Sequence, residues 1–256
     1  MDTRLHDSAI GEGPDVVLLH GLFGMGGNLG ALARSLQDRY RVHSVDLPDH
    51  GRSDWLDDAS IPAYAEAVDR WMDERRLEEV FLFGHSLGGK VAMQLALDDP
   101  GRVQRLVIAD IAPVRYPSSH EAVFEALHAV ASTACHSRGD AAALMASHLQ
   151  EEMVIQFLLL SLKRDQDGIY RWRFNRNGLR HGYEALREPP GSEGTFDAPA
   201  LFVAGALSNY VTNEHEAAVH ALFSRAEITR MADCGHWLHA EKPAEFNTLV
   251  GDFLDA

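Results

Sequence analysis

Val80-Phe81-Leu82-Phe83-Gly84-His85-Ser86-Leu87-Gly88-Gly89 is the stretch on which the fold turns. Its four leading apolar residues predict a short strand buried on both faces. Gly-x-Ser-x-Gly follows, centred on Ser86, and the apolar spacing from Leu87 to Leu97 is helical, with no proline before Pro100. Strand, sharp turn and helix are the setting in which this pattern makes a nucleophile elbow. Such a turn strains the serine backbone, and Gly84 and Gly88 are expected where a Cβ would strike the neighbouring strand or helix. Without those flanks the pattern is an ordinary glycine-rich turn. With them, Ser86 Oγ is expected at the mouth of a sheet, at the positive end of a helix.

The neighbouring segments repeat the strand–helix rhythm. Residues 15–19 (Asp-Val-Val-Leu-Leu) read as a buried strand ending at His20-Gly21-Leu22-Phe23-Gly24, and residues 26–40 as a helix with Leu29, Leu32, Ala33 and Leu36 on one face. A strand over 41–47, a loop at 48–53 and a helix over 61–75 lead to the elbow, and a strand over 103–109 ends at Asp110. Short apolar strands alternating with helices specify an α/β fold with a mostly parallel, doubly wound sheet, its ligand site at the carboxyl ends of the strands. The rhythm stops at Ile111-Ala112-Pro113. Helices are expected at 121–130, 140–148 and 153–162. Residues 168–175 alternate apolar and polar but are too short and isolated to extend the sheet. Residues 113–189 therefore read as a helical cap inserted into a core made of 1–112 and 190–256. The loop 189–194 closes the cap, and a strand over 200–205, a helix over 213–223, a strand over 226–231 and a closing helix over 243–253 complete the chain.

Composition bounds the partners. The 256 residues suffice for one large domain with an insertion. A formal net charge of −15 argues against nucleic acid or an anionic membrane as partner. No apolar run spans a bilayer and the first residues lack a signal core, so no membrane insertion is expected. The two cysteines, Cys135 and Cys234, are too few for a disulfide framework and read as free thiols in a reducing cytoplasm. A monomer or small homo-oligomer is expected. No Gly-x-Gly-x-x-Gly opens a helix, and His43, Asp46, Asp49 and His50 lack a recognised ligand spacing, so neither dinucleotide nor metal binding is indicated.

A serine hydroxyl needs a base within hydrogen-bond reach. Of fourteen histidines, His236 follows the last strand, in Asp233-Cys234-Gly235-His236-Trp237, on the same rim as the elbow and in the chain order nucleophile, acid, histidine. His239 is its rival, where the closing helix is being set up. The usual acid position, after residues 201–204, holds Gly205-Ala206-Leu207-Ser208-Asn209-Tyr210 and no carboxylate. Ser208 and Asn209 can hydrogen-bond an imidazole but cannot stabilise an imidazolium as a carboxylate does. Asp110 ends the preceding strand on the same rim and is favoured as the acid; its plainer reading is a turn cap before Pro113. Donors for a developing oxyanion are expected from the backbone of Leu87 and of Leu22, with Phe23 in reserve. His20 reads as a brace for that loop. Phe23 and Trp237 side chains are expected to line the substrate pocket.

Together, His20-Gly21-x-x-Gly24, Asp46-x-x-x-His50-Gly51-x-Ser53, Gly84-His85-Ser86-x-Gly88-Gly89 and Gly235-His236-Trp237 resemble the α/β-hydrolase superfamily. Asp110-Ile111-Ala112-Pro113-Val114, Gln156-Phe157-Leu158-Leu159, Trp172-Arg173-Phe174-Asn175 and the run from His236 to Pro243 are similar to the small bacterial YbfF-type esterases. The resemblance covers nearly the whole chain. It implies that the acid is the residue at Asp110, that the reaction is hydrolysis of a small-molecule ester, with acyl-CoA thioesters as an extension, and that no cofactor is required. A serine nucleophile leaves carbon–carbon bond hydrolysis and cofactor-free perhydrolysis as alternatives on the same triad. A non-catalytic ligand-binding homologue is a further one.

Overall fold

The structure is a computed structural model that describes residues 3–192 and 194–256. Met1 and Asp2 of the leading segment, and Glu193 of the loop expected at 189–194, lie outside the described residues. The strands are β1 (Asp7–Ile10), β2 (Asp15–Leu19), β3 (Arg41–Val45), β4 (Val80–His85), β5 (Val103–Ala109), β6 (Leu162–Arg164), β7 (Tyr170–Trp172), β8 (Ala200–Gly205) and β9 (Ala226–Met231). Seven of them form one sheet in the order β1-β3-β2-β4-β5-β8-β9. Every pairing in that sheet is parallel except β1 with β3. The elbow strand β4 lies at the centre.

Period-two alternation along each strand sends successive side chains to opposite faces. Val17, Leu19, Leu82, Leu106, Ile108 and Phe202 belong to one core, with Val68, Met72 and Val91 of helices α2 (Ile61–Glu74) and α3 (Leu87–Asp98), once α1 (Gly30–Leu36) has crossed beneath. Val16, Leu18, Phe83, Val107 and Val203 belong to the other, with Leu32 and Leu36 of α1 and Phe246 and Val250 of the closing helix Pro243–Asp255. A sheet covered on both faces explains why its strands read as continuous apolar runs. Removing one such side chain, Leu82 for example, costs about 2–5 kcal/mol because the packed site cannot collapse around the void.

Between β5 and β8 the chain leaves the sheet. It forms α4 (Glu121–Ala131), α5 (Arg138–Met145), α6 (Glu152–Leu160), the antiparallel hairpin β6–β7, α7 (Arg176–His181) and α8 (Tyr183–Leu186). Ser137 and Asp140 make a reciprocal capping box that starts α5 two residues before the expected position. The alternating stretch expected to stay out of the sheet does so, and it finds its partner locally in β6. Strand β1 was not foreseen. It is short and its side chains are mostly exposed; its backbone pairing with β3 and the Asp7 side chain, which accepts from Arg75 and Trp71, hold it at the edge. The helix expected over 26–40 begins as a 3-10 turn at Gly26–Leu29 and ends at Leu36. Helices α9 (Glu216–Leu222), α10 (Leu238–Glu241) and α11 (Pro243–Asp255) close the fold. No helix of the described residues is long and apolar enough to cross a membrane.

Candidate active site

Ser86 sits at φ 52 and ψ −116, a conformation that an L residue holds only under constraint. The constraint is visible: its N–H donates to Ala109 O at 3.0 Å, and Gly88 N–H donates to His20 O at 3.1 Å. The tight turn leaves no room beside it. A Cβ on Gly84 would lie 2.2 Å from Gly88 O, and one on Gly88 would lie 2.4 Å from Leu19 O. Both glycines are therefore dictated by contact with backbone, as their spacing in the motif suggested.

Asp110 emerges from β5 with φ 50 and is fully buried. Its N–H donates to Val203 O at 2.8 Å, which fixes the residue beside β8. Its Oδ1 accepts from Gly205 N–H at 3.0 Å, and its Oδ2 accepts from the Ser208 hydroxyl and from His236 Nδ1, the latter at 2.7 Å. The structure thus brings Asp110 and His236 together across 126 residues of sequence. Ser208, weighed as a partner for the imidazole, bonds the carboxylate instead.

His236 is held on every side. Tyr210 stacks on its ring with centroids 4.3 Å apart, His85 lies at 4.8 Å, and His85 Nε2 donates to His236 O at 2.9 Å. Glu241 accepts from the Gly235 and Trp237 amides, at 2.7 and 3.1 Å, and so clamps the backbone on both sides of the imidazole. His239 packs behind His85, buried, with its Nδ1 unpartnered. Burial, then the proximity of His236, pushes His239 down to about 4. No hydrogen bond joins Ser86 Oγ to His236 among the described residues; both face one cavity, and such contacts tighten when substrate enters.

The loop after β2 is fixed in the same manner. Phe23, at φ 64, donates its N–H to His50 Nε2 at 3.1 Å and accepts at its carbonyl from Ser161 Oγ at 2.6 Å. The Phe23 amide is therefore engaged and unavailable to an oxyanion. Leu22 N–H makes no hydrogen bond among the described residues. Leu87 is the first residue of α3, so its amide has no partner within the helix. His20 Nδ1 contacts Gly21 O at 2.8 Å while its Nε2 accepts from Leu47 N–H at 3.0 Å. His50 uses Nδ1 on Pro48 O in the same way. Burial lowers His20 to about 4 and His50 to about 3, so both are neutral braces with an assigned tautomer. Asp46 accepts from the amides of Gly26 and Arg52, and Asp49 from Tyr64 Oη, Leu56 N–H and Asn175 Nδ2. Of the four residues weighed above for a metal, Asp46, Asp49 and His50 tie loops together, and His43, on β3, contacts Asp15 Oδ1 through Nε2 at 2.8 Å.

A cavity of about 430 Å³ opens at Ser86. His236, Trp237, Phe23, Val154, Phe157 and Leu158 are among its walls. Trp237 stands against Phe157 at 5.8 Å, and Phe23 packs against Phe124 and Phe174 at 5.5 and 5.3 Å. A hollow of about 380 Å³ between α4 and α7 is comparable in size, but charged groups such as Glu121 and Arg180 line it and it holds no nucleophile. Sequence reading missed Glu241, Tyr210 and His85 as supports of His236. Only the position of His85 inside the elbow motif carried a signal.

A strained serine between a strand and a helix, on a parallel sheet whose carboxyl rim also carries a carboxylate–imidazole pair, defines an α/β-hydrolase site. Residues 14–243 match the alpha/beta hydrolase fold family, and the chain belongs to it. Within that family it is a YbfF-type esterase by likeness. It is 40% identical to esterase YbfF of Escherichia coli over 94% of this chain and 92% of the relative. It is 36% identical to the mouse sn-1-specific diacylglycerol lipase ABHD11, over 94% of this chain and 81% of that one. The solved structure of a marine microorganism esterase superposes with a TM-score of 0.94 at 31% identity, covering 98% of this chain and 99% of the other.

Proposed function

We propose that the chain hydrolyses carboxylic esters, and acyl-CoA thioesters by the same route, through an acyl-enzyme on Ser86. The observation that carries this reading is the 2.7 Å contact of buried Asp110 with His236, on the cavity into which Ser86 opens. In the first half-reaction Ser86 Oγ bonds to the carbonyl carbon and its proton passes to His236 Nε2. Asp110 holds Nδ1–H, which leaves Nε2 free as the base. The Leu22 and Leu87 amides stabilise the oxyanion. The carbon–oxygen or carbon–sulfur bond breaks, and His236 returns the proton to the departing alcohol or thiol. Water then adds to the acyl-enzyme by the same proton route and releases the acid.

Residues 113–189 act as a cap that sets acyl size, with Phe23 and Trp237 against the substrate. Both cysteines are free and buried, which supports a reducing cytosol as the compartment. The test combines fluorophosphonate labelling with a panel of p-nitrophenyl and CoA esters of increasing chain length. Ser86→Ala is expected to lose both label and turnover. Unchanged turnover in that variant would overturn the mechanism.

A further inference from the structure

His120 stands at the junction of two cavities and belongs to no part of the proposed triad. One cavity is the space of about 430 Å³ at Ser86; the other is a side pocket of about 60 Å³ whose walls include Lys90, Tyr116 and Tyr183. Ser86, Leu22, Ser119, His120 and Tyr210 line both. His120 precedes α4 and so reaches the site from the segment inserted between β5 and β8.

Its ring is orientated. Tyr183 Oη lies 2.5 Å from His120 Nδ1, and Ser119 Oγ lies 3.2 Å from the same nitrogen. Tyr183 Oη also accepts from Ser119 N–H at 3.4 Å and has no other acceptor for its own proton among the described residues. The phenol therefore donates to Nδ1, and the imidazole carries its proton on Nε2. Burial, then the charge of His236, lowers His120 to about 4, so the ring is neutral at working pH. Nε2–H makes no hydrogen bond with the described residues, yet the ring lines both cavities and the atom is not sealed in. An oriented donor facing a substrate cavity is a recognition element that lacks only its acceptor.

We propose that His120 Nε2–H is a specificity determinant that binds an oxygen acceptor on the alcohol portion of the ester, favouring esters of diols and similar polyols over simple alkyl esters. This rests on the ester-hydrolase reading. The alcohol side follows from the chemistry: the departing oxygen must take its proton from His236 Nε2, and His120 lines the same cavity as His236. The bond is of the neutral kind, and its loss at a desolvated site is worth about tenfold in rate.

The experiment compares 2-hydroxyethyl butyrate with propyl butyrate, which have the same acyl group and nearly the same shape. The wild type is expected to prefer the hydroxyethyl ester by about tenfold in kcat/KM. His120→Phe brings the ratio close to one. His120→Gln, whose amide nitrogen reaches the place of Nε2, retains most of the preference, and thermal melts establish that both variants fold. A third ester, propyl 3-hydroxybutyrate, moves the hydroxyl to the acyl side and is expected to show no dependence on residue 120. Equal ratios in wild type and His120→Phe, or a dependence confined to the acyl-side hydroxyl, would overturn the assignment while leaving the hydrolase reading intact. Failure of the wild type to cleave any of the three esters would remove the hydrolase reading and this assignment with it.

Discussion

Asp110→Asn is the substitution that tests the site most severely, because the structure dictates which way the new amide must face. Asp110 Oδ1 accepts from Gly205 N–H, so the amide oxygen of Asn must stay there. The reverse orientation would aim NH₂ at a backbone donor in a fully buried site, costing about 1–3 kcal/mol. With the oxygen fixed, NH₂ faces the Ser208 hydroxyl and His236 Nδ1. Ser208 can accept from it by turning its hydroxyl. His236 can accept only by moving its proton to Nε2, and an imidazole protonated there cannot take a proton from Ser86. The same wrong-tautomer substitution in a serine protease lowers kcat by about 10⁴, which converts to about 5 kcal/mol at 1.36 kcal/mol per tenfold. We expect a loss of that order here with little change in fold, since size and shape are kept. The assay is steady-state hydrolysis of p-nitrophenyl butyrate beside the rate of fluorophosphonate labelling, and both should fall together. Turnover within about threefold of wild type would refute the reasoning. A large loss in Ser208→Ala, with Asp110→Asn mild, would move the anchor to the loop after β8.

Two further outcomes follow from distances and burial. Gly84→Ala places a Cβ 2.2 Å from Gly88 O, a backbone atom that cannot yield, so stability should fall by about 3 kcal/mol or more in urea melts; Gly27→Ala, with nothing within 4 Å, should stay within about 0.5 kcal/mol. His20 and His50 are depressed in the folded state to about 4 and about 3, so between pH 6.5 and about 4 the unfolded chain binds more protons and stability falls as pH falls. At pH 5.5 each should cost about 1.4 kcal/mol relative to pH 8; a melting temperature flat across that interval would contradict their being neutral braces.

The parts of the fold that could be read in advance are those whose signals are local. Buried parallel strands announce themselves as apolar runs, and the elbow combines three adjacent constraints: strand, glycines and helix. His236 and Asp110 could be nominated because each ends a strand, and strand ends share a rim. β1 could not be read, because Asp7-Ser8-Ala9-Ile10 has no apolar alternation and is held by partners distant in sequence, the β3 backbone and Arg75 and Trp71 on Asp7. Glu241 and Tyr210 could not be tied to His236 because neither position has a spacing that signals support. Tyr210 reaches the imidazole from the loop after β8, and Glu241 reaches back from α10 to two amides. His50 could be set aside as a metal ligand for want of ligand spacing, but its role as a brace could not be read, because composition shows the residue type and not its partners. Its partner, Phe23 N–H, comes from a loop 27 residues away.

The two hydrogen bonds on the Phe23 peptide have a consequence for engineering. The bond from Ser161 comes from the segment between β5 and β8, and the bond to His50 comes from the core loop that Asn175 of that same segment grips through Asp49. The inserted segment and the backbone presenting Leu22 N–H are thus one mechanical unit. A transplanted lid chosen only for its pocket shape would arrive without these tethers, and the recipient would lose rate along with its old selectivity. Grafts that carry Ser161 and Asn175 in register are the ones expected to exchange substrates while keeping turnover.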